Sequence, residues 1–215
     1  MHILIISATP HSLEYSNTNK LIAAFEQGIL ESESEAEILY LSHKKEWDKI
    51  IQKFAEAKHI VFAIPVYVGI VPSLFKEFLE LLYKNKSSIE NKNISYILQS
   101  GYPESTQRSC CEKYLESFTT LINCSFGGIL SHGIDYGFID NVSFEQTLRF
   151  YVEFGKEYIA HNASFSFEKA ILFTGVDNLT EQQARNFIRY FNFFCKHAAQ
   201  EINTYSRLYD TPLED

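Results

Sequence analysis

The fold is decided near the start of the chain, where residues 3–20 read ILIISATPHSLEYSNTNK. Ile3 to Ile6 form a continuous apolar run without alternation, which is typical of a central parallel strand covered on both faces. A loop rich in hydroxyl side chains follows, and a helical pattern begins near Asn17 or Thr18. In α/β proteins a loop at this place often binds phosphate, but this loop contains no glycine. The stretch therefore predicts an α/β unit and leaves the ligand of its loop open.

The same alternation of strand and helix continues through the following hundred residues. Short β-prone apolar runs predict four further strands, and amphipathic patterns between them predict helices. The predicted strands span 37–41, 60–64, 94–99 and 126–130, and the predicted helices span 21–30, 47–57, 72–83 and 107–122. Parallel strands joined by helices require right-handed crossovers. We therefore predict an α/β fold with a doubly wound, five-stranded parallel sheet and helices on both of its faces.

The last third of the chain is less regular. Residues 144–159 predict a helix, residues 164–176 are ambiguous between helix and strand, and Thr180-Glu-Gln-Gln183 resembles a capping box before a long helix. The apolar stripe of that helix is more typical of core than of cofactor contact, and it would also suit a subunit interface. The stripe consists of Phe187, Ile188, Phe191, Phe194 and Cys195. With no linker or repeat, we predict one domain over 1–215, in which 144–215 form a helical extension that packs on it or on a dimer partner.

Composition argues against two classes of partner. The chain has 215 residues, 46% hydrophobic content and a formal net charge of -8, without the basic stripe that nucleic-acid binding generally needs. The first residues contain no basic leader, and the apolar segment 60–71 is interrupted by Pro65 and Gly69. We therefore expect a soluble cytoplasmic protein that binds neither nucleic acid nor membranes.

The cysteines and histidines do not form a recognisable metal motif. Four cysteines in a chain of this length favour free thiols over a disulfide scaffold. Cys110 and Cys111 are adjacent, and a redox role for the pair stays open, although no C-x-x-C motif is present and a structural role is favoured. The seven histidines are scattered. We predict no metal site.

Three loops follow predicted strands at the edge where open parallel sheets bind ligands. In the first loop, Ser7, Thr9, Ser16 and Thr18 offer hydroxyl donors and Asn17 offers an amide. The helix that starts there adds free N–H groups and the positive end of its dipole, so a phosphomonoester would suit this loop. Alternatively, Ser16 or Asn17 only caps the helix, which would leave Ser7 and Thr9 unexplained.

The second and third loops suit a flat ligand. Pro65 to Pro72 form a loop that is stiff at both ends, and the N–H groups of residues 67–69 could donate to a ring carbonyl. An ordinary strand-to-helix connection is the alternative for this loop. Ser100 and Gly101 are small enough for a planar ring to lie against the backbone, with Tyr102 beside it.

Several known site classes do not match these loops. Around Ser100 the chain reads Leu98-Gln-Ser-Gly-Tyr102, so larger residues occupy both glycine positions of the G-x-S-x-G nucleophile elbow. Neither the P-loop motif nor the dinucleotide motif G-x-G-x-x-G is present. These absences disfavour a serine hydrolase, a nucleoside triphosphate site and a Rossmann-type site.

Together the three loops resemble those of the flavodoxin-like NAD(P)H-dependent oxidoreductases, the NADPH-dependent FMN reductase and quinone reductase group. The first loop is similar to that family's G-S-P-R-x-x-S-N-T, with Ser16-Asn17-Thr18 as its end. Pro65-Val-Tyr-Val-Gly69 with Pro72-Ser-Leu-Phe-Lys-Glu-Phe78 resembles P-x-Y-x-G…P-x-x-L-K-x-F, and Ser100-Gly-Tyr102 resembles the third flavin loop. The motifs cover residues 3 to about 103.

The resemblance implies an FMN cofactor and NAD(P)H as co-substrate. It assigns the FMN phosphate to Ser7, Thr9, Ser16, Asn17 and Thr18. It assigns the ribityl chain and the ring to Pro65, Val66, Tyr67, Val68, Gly69, Ser100, Gly101 and Tyr102. It implies no catalytic acid or base, because FMN itself accepts hydride. Tyr67 and Tyr102 would contact the ring or the substrate, or serve only in packing.

The chain departs from the family at the start of its first loop. The family's glycine and arginine are absent, and Ser7 and His11 lie nearby instead. The resemblance implies a homodimer that reduces a flavin, a quinone or a similar small acceptor. Two alternatives stay open: a flavodoxin-type electron carrier with a protein partner, and a doubly wound binding protein that has lost flavin.

Overall fold

The computed structural model describes residues 1–10, 16–133 and 143–201. At its centre is a sheet of five parallel strands in the order β2-β1-β3-β4-β5. The strands are β1 (His2–Ser7), β2 (Glu35–Tyr40), β3 (His59–Val66), β4 (Asn93–Ser100) and β5 (Ser125–Gly133). This order is that of flavodoxin-like proteins, and it reverses between β1 and β3.

Helices cover both faces of the sheet. The α-helices of the described residues are α1 (Asn17–Glu31), α2 (Trp47–Glu56), α3 (Ser73–Lys84), α4 (Lys86–Ile89), α5 (Ser109–Leu121), α6 (Phe144–Ala160), α7 (Glu168–Leu172) and α8 (Glu181–Glu201). Side chains from α2, α3, α4 and α5 share one apolar core with one face of the strands. Those from α1, α6 and α7 share the other core. The predicted doubly wound α/β fold is therefore confirmed.

The predicted elements differ from the observed ones mainly at their ends. Every predicted strand and helix is present, and β3 extends two residues further than predicted, through Pro65 and Val66. The ambiguous segment 164–176 contains the short helix α7. The capping box before α8 is also observed, because Thr180 N donates to Gln183 Oε1 and Gln183 N donates to Thr180 Oγ1.

Part of the apolar stripe of α8 is exposed. Ile188 and Phe191 are exposed, as is Phe193, so these side chains do not belong to the core of this chain. The alternative, a subunit interface, stays a prediction. Phe187 is different, because its ring lies 5.9 Å from that of Tyr102 in the third loop. The helix therefore contacts the sheet edge near its own beginning and leaves apolar side chains uncovered beyond it. No helix in the described ranges has the length and apolarity needed to cross a membrane.

Two glycines allow α1 and α6 to cross at close range. A Cβ atom on Gly28 would collide with the carbonyl oxygen of Val152, and one on Gly155 would collide with the carbonyl oxygen of Phe25. The obstacles are backbone atoms of the facing helix, which cannot rotate away as a side chain can. The second core layer therefore depends on the absence of side chains at this crossing.

We expect Gly28→Ala to lower the free energy of unfolding by about 2 kcal/mol. Overpacking costs about 1–3 kcal/mol, and the collision with backbone should exceed the helix-propensity gain of alanine, which is about 1 kcal/mol. Urea denaturation followed by circular dichroism measures the change. Gly101→Ala is the control, since nothing lies within 4 Å of a Cβ built there. Equal midpoints for Gly28→Ala and wild type would contradict the close crossing.

Candidate functional site

The three predicted site loops meet at the carboxyl edge of the sheet. They follow β1, β3 and β4, which are neighbours in the sheet, and the first two flank the point where the strand order reverses. Crevices at this position are where open α/β sheets bind ligands. The described part of the chain contains no group of three or more His, Cys, Asp or Glu side chains suited to a metal ion.

In the first loop, buried polar side chains are linked by hydrogen bonds. Ser7 Oγ donates to Asn19 Oδ1 at 2.7 Å, and Ser16 Oγ donates to Thr9 Oγ1 at 3.2 Å. Asn19 N donates to Ser16 Oγ at 3.2 Å, and Thr9 N approaches Ser7 Oγ at 3.5 Å. All four side chains are buried. Ser16 is thus the N-cap of α1, and it also belongs to the wider polar set.

Thr18 connects the first loop to the end of β4. Its Oγ1 donates to Gln99 Oε1 at 3.0 Å, and Gln99 Nε2 donates to the carbonyl of Ser100 at 3.0 Å. The hydroxyl hydrogens of Ser7, Ser16 and Thr18 are therefore all used within the protein. The donors left at the start of α1 include the N–H groups of Asn17 and Thr18, because the first N–H groups of a helix have no intrahelical acceptor.

The second loop is a tight turn at residues 67–70. Tyr67 N donates to the carbonyl of Ile70 at 2.9 Å, and Ile70 N donates back to the carbonyl of Tyr67 at 3.1 Å. Val68 and Gly69 occupy the centre of the turn with φ of 49° and 78°. The prediction that the N–H groups of residues 67–69 are all available to a ligand is wrong for Tyr67, since the turn uses its N–H. The N–H groups of Val68 and Gly69 take no part in the two hydrogen bonds of the turn.

Val68 is held in a strained conformation. Positive φ is rare for residues other than glycine and is especially unfavourable for a β-branched side chain. The side chain gains little packing in return, because 78% of it is exposed. Strain of this kind costs on the order of 1–3 kcal/mol and tends to occur at functional sites. The second loop therefore presents an apolar side chain to solvent at the sheet edge.

Helix α5 holds the second loop from behind. Cys111 Sγ donates to the carbonyl of Gly69 at 3.0 Å, and burial raises the pKa of the Cys111 thiol to about 11. The thiol is therefore protonated at neutral pH and can act as a donor. Cys110, in contrast, is exposed, and both cysteines are free thiols, as predicted.

The third loop leaves open space beside its glycine. Ser100 Oγ is buried and accepts a hydrogen bond from Tyr102 N at 3.0 Å, which fixes the turn. Gly101 is exposed, and a Cβ atom there would meet nothing within 4 Å. A planar group could lie against the backbone at this point. Tyr102 lies beside it and contacts Phe187 of α8.

A buried arginine fixes the shape of the third loop. Arg108 Nε donates to Ser131 Oγ at 2.8 Å, and Nη1 donates to the carbonyls of Tyr102 at 3.1 Å and Glu104 at 3.0 Å. Nη2 donates to the carbonyl of Thr174. Burial lowers the pKa of Arg108, but the group starts so high that it stays charged at neutral pH. The guanidinium thereby links β5, the third loop and the segment after α7.

A second set of hydrogen bonds supports the same link. Ser105 N donates to the carbonyl of Val176 at 2.9 Å, and Ser105 Oγ donates to Asp177 Oδ1 at 2.6 Å. Thr106 Oγ1 donates to the carbonyl of Asp177 at 3.1 Å. The segment between α7 and α8 is therefore fastened to the third loop along several residues.

We expect Arg108→Leu to lower the free energy of unfolding by at least about 3 kcal/mol. The substitution leaves several buried acceptors without a donor, and each such loss costs about 1–3 kcal/mol. Chemical denaturation measures the total effect. Hydrogen exchange at Ser105 N, which bonds Val176 in wild type, reports whether the link opens locally. Arg149→Leu is the control, because that arginine is exposed. Equal destabilisation by both variants would contradict the structural role of Arg108.

His132 lies close to this arginine, at the end of β5. It is opposite Gln99 in the sheet register, and its ring stacks on Phe173 at a centroid distance of 4.5 Å. Burial, and next the positive charge of Arg108, lower the pKa of His132 to about 3. The imidazole is therefore neutral in the folded protein down to strongly acidic pH.

The lowered pKa of His132 predicts that the folded protein loses stability in acid. In the unfolded chain its pKa is near 6.5, so between pH 6.5 and about 3 the unfolded state binds the proton that the folded state does not. Stability must fall as pH drops through this window, by up to about 1.4 kcal/mol per pH unit. We expect His132→Gln to show a smaller pH dependence than wild type in urea denaturation between pH 6.5 and 4. Identical slopes would contradict the lowered pKa.

Sequence reasoning missed three residues of this edge: Asn19, Gln99 and Arg108. Asn19 directly follows the Ser-Asn-Thr motif, and Gln99 is a polar residue near the end of an apolar strand, so position alone could have indicated both. Arg108 lies in a polar segment before a helix, and nothing in the local sequence distinguishes it from an exposed arginine.

Comparison with known proteins supports the same fold. A family model described as flavodoxin-like fold matches residues 1–110. Among curated proteins no sequence matches.

Solved structures share the fold at low identity. The Trp repressor binding protein from Bacillus subtilis has 18% identity and a TM-score of 0.56, over 72% of this chain and 98% of that chain. An FMN-dependent NADH-azoreductase from Bacillus anthracis, in complex with FMN, has 14% identity and a TM-score of 0.52, over 76% and 100%. RosB with bound 8-demethyl-8-formylriboflavin-5'-phosphate has 16% identity and a TM-score of 0.57, over 94% and 87%.

The family match covers more than half of the chain, and the strand order agrees with it. The protein therefore belongs to the family with the flavodoxin-like fold.

Proposed function

We propose that the protein is an FMN-dependent oxidoreductase that transfers hydride from NAD(P)H through bound FMN to a flavin, a quinone or a similar small acceptor. The observation that carries the proposal is the joining of the polar first loop to the open third loop through Thr18 and Gln99. The names of two structural neighbours include FMN or a riboflavin phosphate. These names support the choice of flavin as the cofactor.

The first loop suits the phosphate of FMN. The buried hydroxyls of Ser7 and Ser16 donate to Asn19 and Thr9, which fixes these side chains around the start of α1. The free N–H groups at the start of α1 and the helix dipole supply the attraction for an anion. In this proposal Ser7, Thr9, Ser16 and Thr18 shape the site, while the backbone of Asn17 and Thr18 donates.

The second and third loops suit the ring of FMN. The space beside Gly101 would admit the flat ring, and the N–H groups of Val68 and Gly69 would donate to its carbonyl edge. Burial raises the pKa of Tyr67 above its usual range, so its phenol is protonated at neutral pH. The exposed side chain of Val68 would then border the face on which nicotinamide and acceptor bind.

The chain's own residues have a limited set of tasks in this reaction. FMN, when bound, accepts hydride and passes electrons on. The protein binds the phosphate, holds the ring edge with backbone donors that favour negative charge there, and leaves one ring face open. Arg108 keeps the third loop in shape from within the core. That the reaction needs no catalytic acid or base from the protein remains a prediction.

Two further features extend the proposal. The exposed apolar residues of α8, among them Ile188 and Phe191, support a homodimer, because large exposed apolar patches mark interaction sites. Location in the cytoplasm remains a prediction.

An electron carrier with a protein partner is the alternative function, and the net charge of -8 favours a basic partner for it.

The absorption spectrum of the purified protein tests the proposal. We expect FMN added at micromolar concentration to bind, with a shifted flavin spectrum, and to be bleached rapidly by NADPH or NADH. Bound flavin that nicotinamide does not reduce would instead favour the carrier. Failure to bind FMN would contradict both functions.

Gly101→Leu provides the site control for this experiment. A leucine side chain would fill the space in which the ring is placed, while the surrounding structure has room for it. We expect FMN affinity to fall by at least about tenfold and the unfolding midpoint to change little, because exposed substitutions are usually within about 0.5 kcal/mol. Unchanged affinity would place the ring elsewhere.

A further inference from the structure

The side chain of Asn19 carries a buried donor without an acceptor. Only 6% of the residue is exposed, and its Oδ1 accepts from Ser7 Oγ at 2.7 Å, which fixes the orientation of the amide. Its Nδ2 has no hydrogen-bond partner among the described residues. An unsatisfied buried donor costs the folded state free energy, so it calls for a physical reason.

The position of this donor suggests the reason. Asn19 is the third residue of α1, and its own N–H donates to Ser16 Oγ. The unused amide therefore lies at the same helix end as the free N–H groups of Asn17 and Thr18. A helix start attracts anions through its dipole, and here a neutral side-chain donor is held beside it.

We propose that Asn19 Nδ2 donates to the phosphate of the bound cofactor and distinguishes FMN from flavin without a phosphate. This inference rests on the proposed function for the identity of the cofactor. The existence of an anion site at this position does not depend on that function. The site binds through the Asn19 amide and the helix start, and the side chains around that amide, those of Ser7, Thr9 and Ser16, carry no formal charge. Ser7 takes part by holding the amide in the orientation that leaves Nδ2 unused.

Asn19→Asp is the sharpest test. Aspartate has nearly the same shape and can still accept from Ser7 Oγ, and a carboxylate in the first turn of a helix stabilises it. The variant therefore keeps the fold, removes the donor and adds a negative charge beside the phosphate. We expect the Kd for FMN to rise by at least about 100-fold, since charge-assisted hydrogen bonds are strong ones. We expect the Kd for riboflavin to change by less than about threefold.

Lys20→Gln is the matched control. It changes the net charge by the same amount as Asn19→Asp at the neighbouring position, but the side chain of Lys20 is exposed. Exposed charges are largely screened at physiological salt, so we expect less than about a threefold change in FMN affinity. Quenching of flavin fluorescence measures all affinities, and urea denaturation confirms that each variant is folded.

The outcomes separate this inference from the proposed function. If Asn19→Asp leaves FMN affinity unchanged, the role of Asn19 is overturned and the FMN function stands. The same conclusion follows if the variant loses FMN affinity and riboflavin affinity equally. If wild type binds neither flavin, the FMN function fails, and inorganic phosphate then tests the site. An increase in the wild-type Tm with phosphate that is absent in Asn19→Asp supports the anion site. No effect of phosphate on wild type overturns it.

Discussion

The guanidinium of Arg108 is the interaction on which the candidate site depends most. A buried positive charge is costly unless its donors are satisfied, and here the acceptors are a hydroxyl of β5 and carbonyls on both sides of the third loop. Carbonyl oxygens can accept from the planar guanidinium only if the backbone that carries them has one particular conformation. The arginine therefore fixes the path of the loop, whereas an apolar core would fix only its approximate depth. The segment after α7 is fixed by the same group.

Polar side chains at the first loop have a different task from the one that their composition suggests. A loop rich in hydroxyls looks like a set of donors for an anion, but buried hydroxyls are bonded to protein acceptors whenever these lie within reach. Ser7, Ser16 and Thr18 follow this rule. Their contribution is structural: Ser7 links the end of β1 to α1, Ser16 links the start of α1 to Thr9, and Thr18 links α1 to Gln99 near the end of β4. Attraction for an anion would then come from groups that have no protein acceptor, the first N–H groups of the helix and the amide of Asn19.

Much of the fold could be predicted from the sequence because local patterns determine it. Unbroken apolar runs identify buried parallel strands, and helical periodicity identifies the covering helices, so all five strands were placed correctly. The edge of the sheet was located for the same reason. What could not be predicted depends on contacts between distant residues. The partner of Thr18 lies 81 positions away, and that of Arg108 Nη2 lies 66 positions away. What covers the apolar side of α8 could not be predicted either, since periodicity shows which side of a helix is apolar but not whether another element or subunit packs on it.

The second loop shows how rigidity and strain coexist at this edge. The turn around Val68 is fastened by two backbone bonds and by Cys111 from behind, so the chain there has little freedom to relax. Glycine or asparagine would suit the positive φ better, and the exposed valine side chain does not compensate through packing. Valine is therefore unfavourable for the backbone conformation at this position, and it gains no compensating packing within the chain. Departures of this kind concentrate where a protein contacts something else. Since the same edge carries the open space at Gly101 and the free helix start at α1, the FMN of the proposed function would lie across all three loops and would give the strained Val68 a contact that the chain itself does not supply.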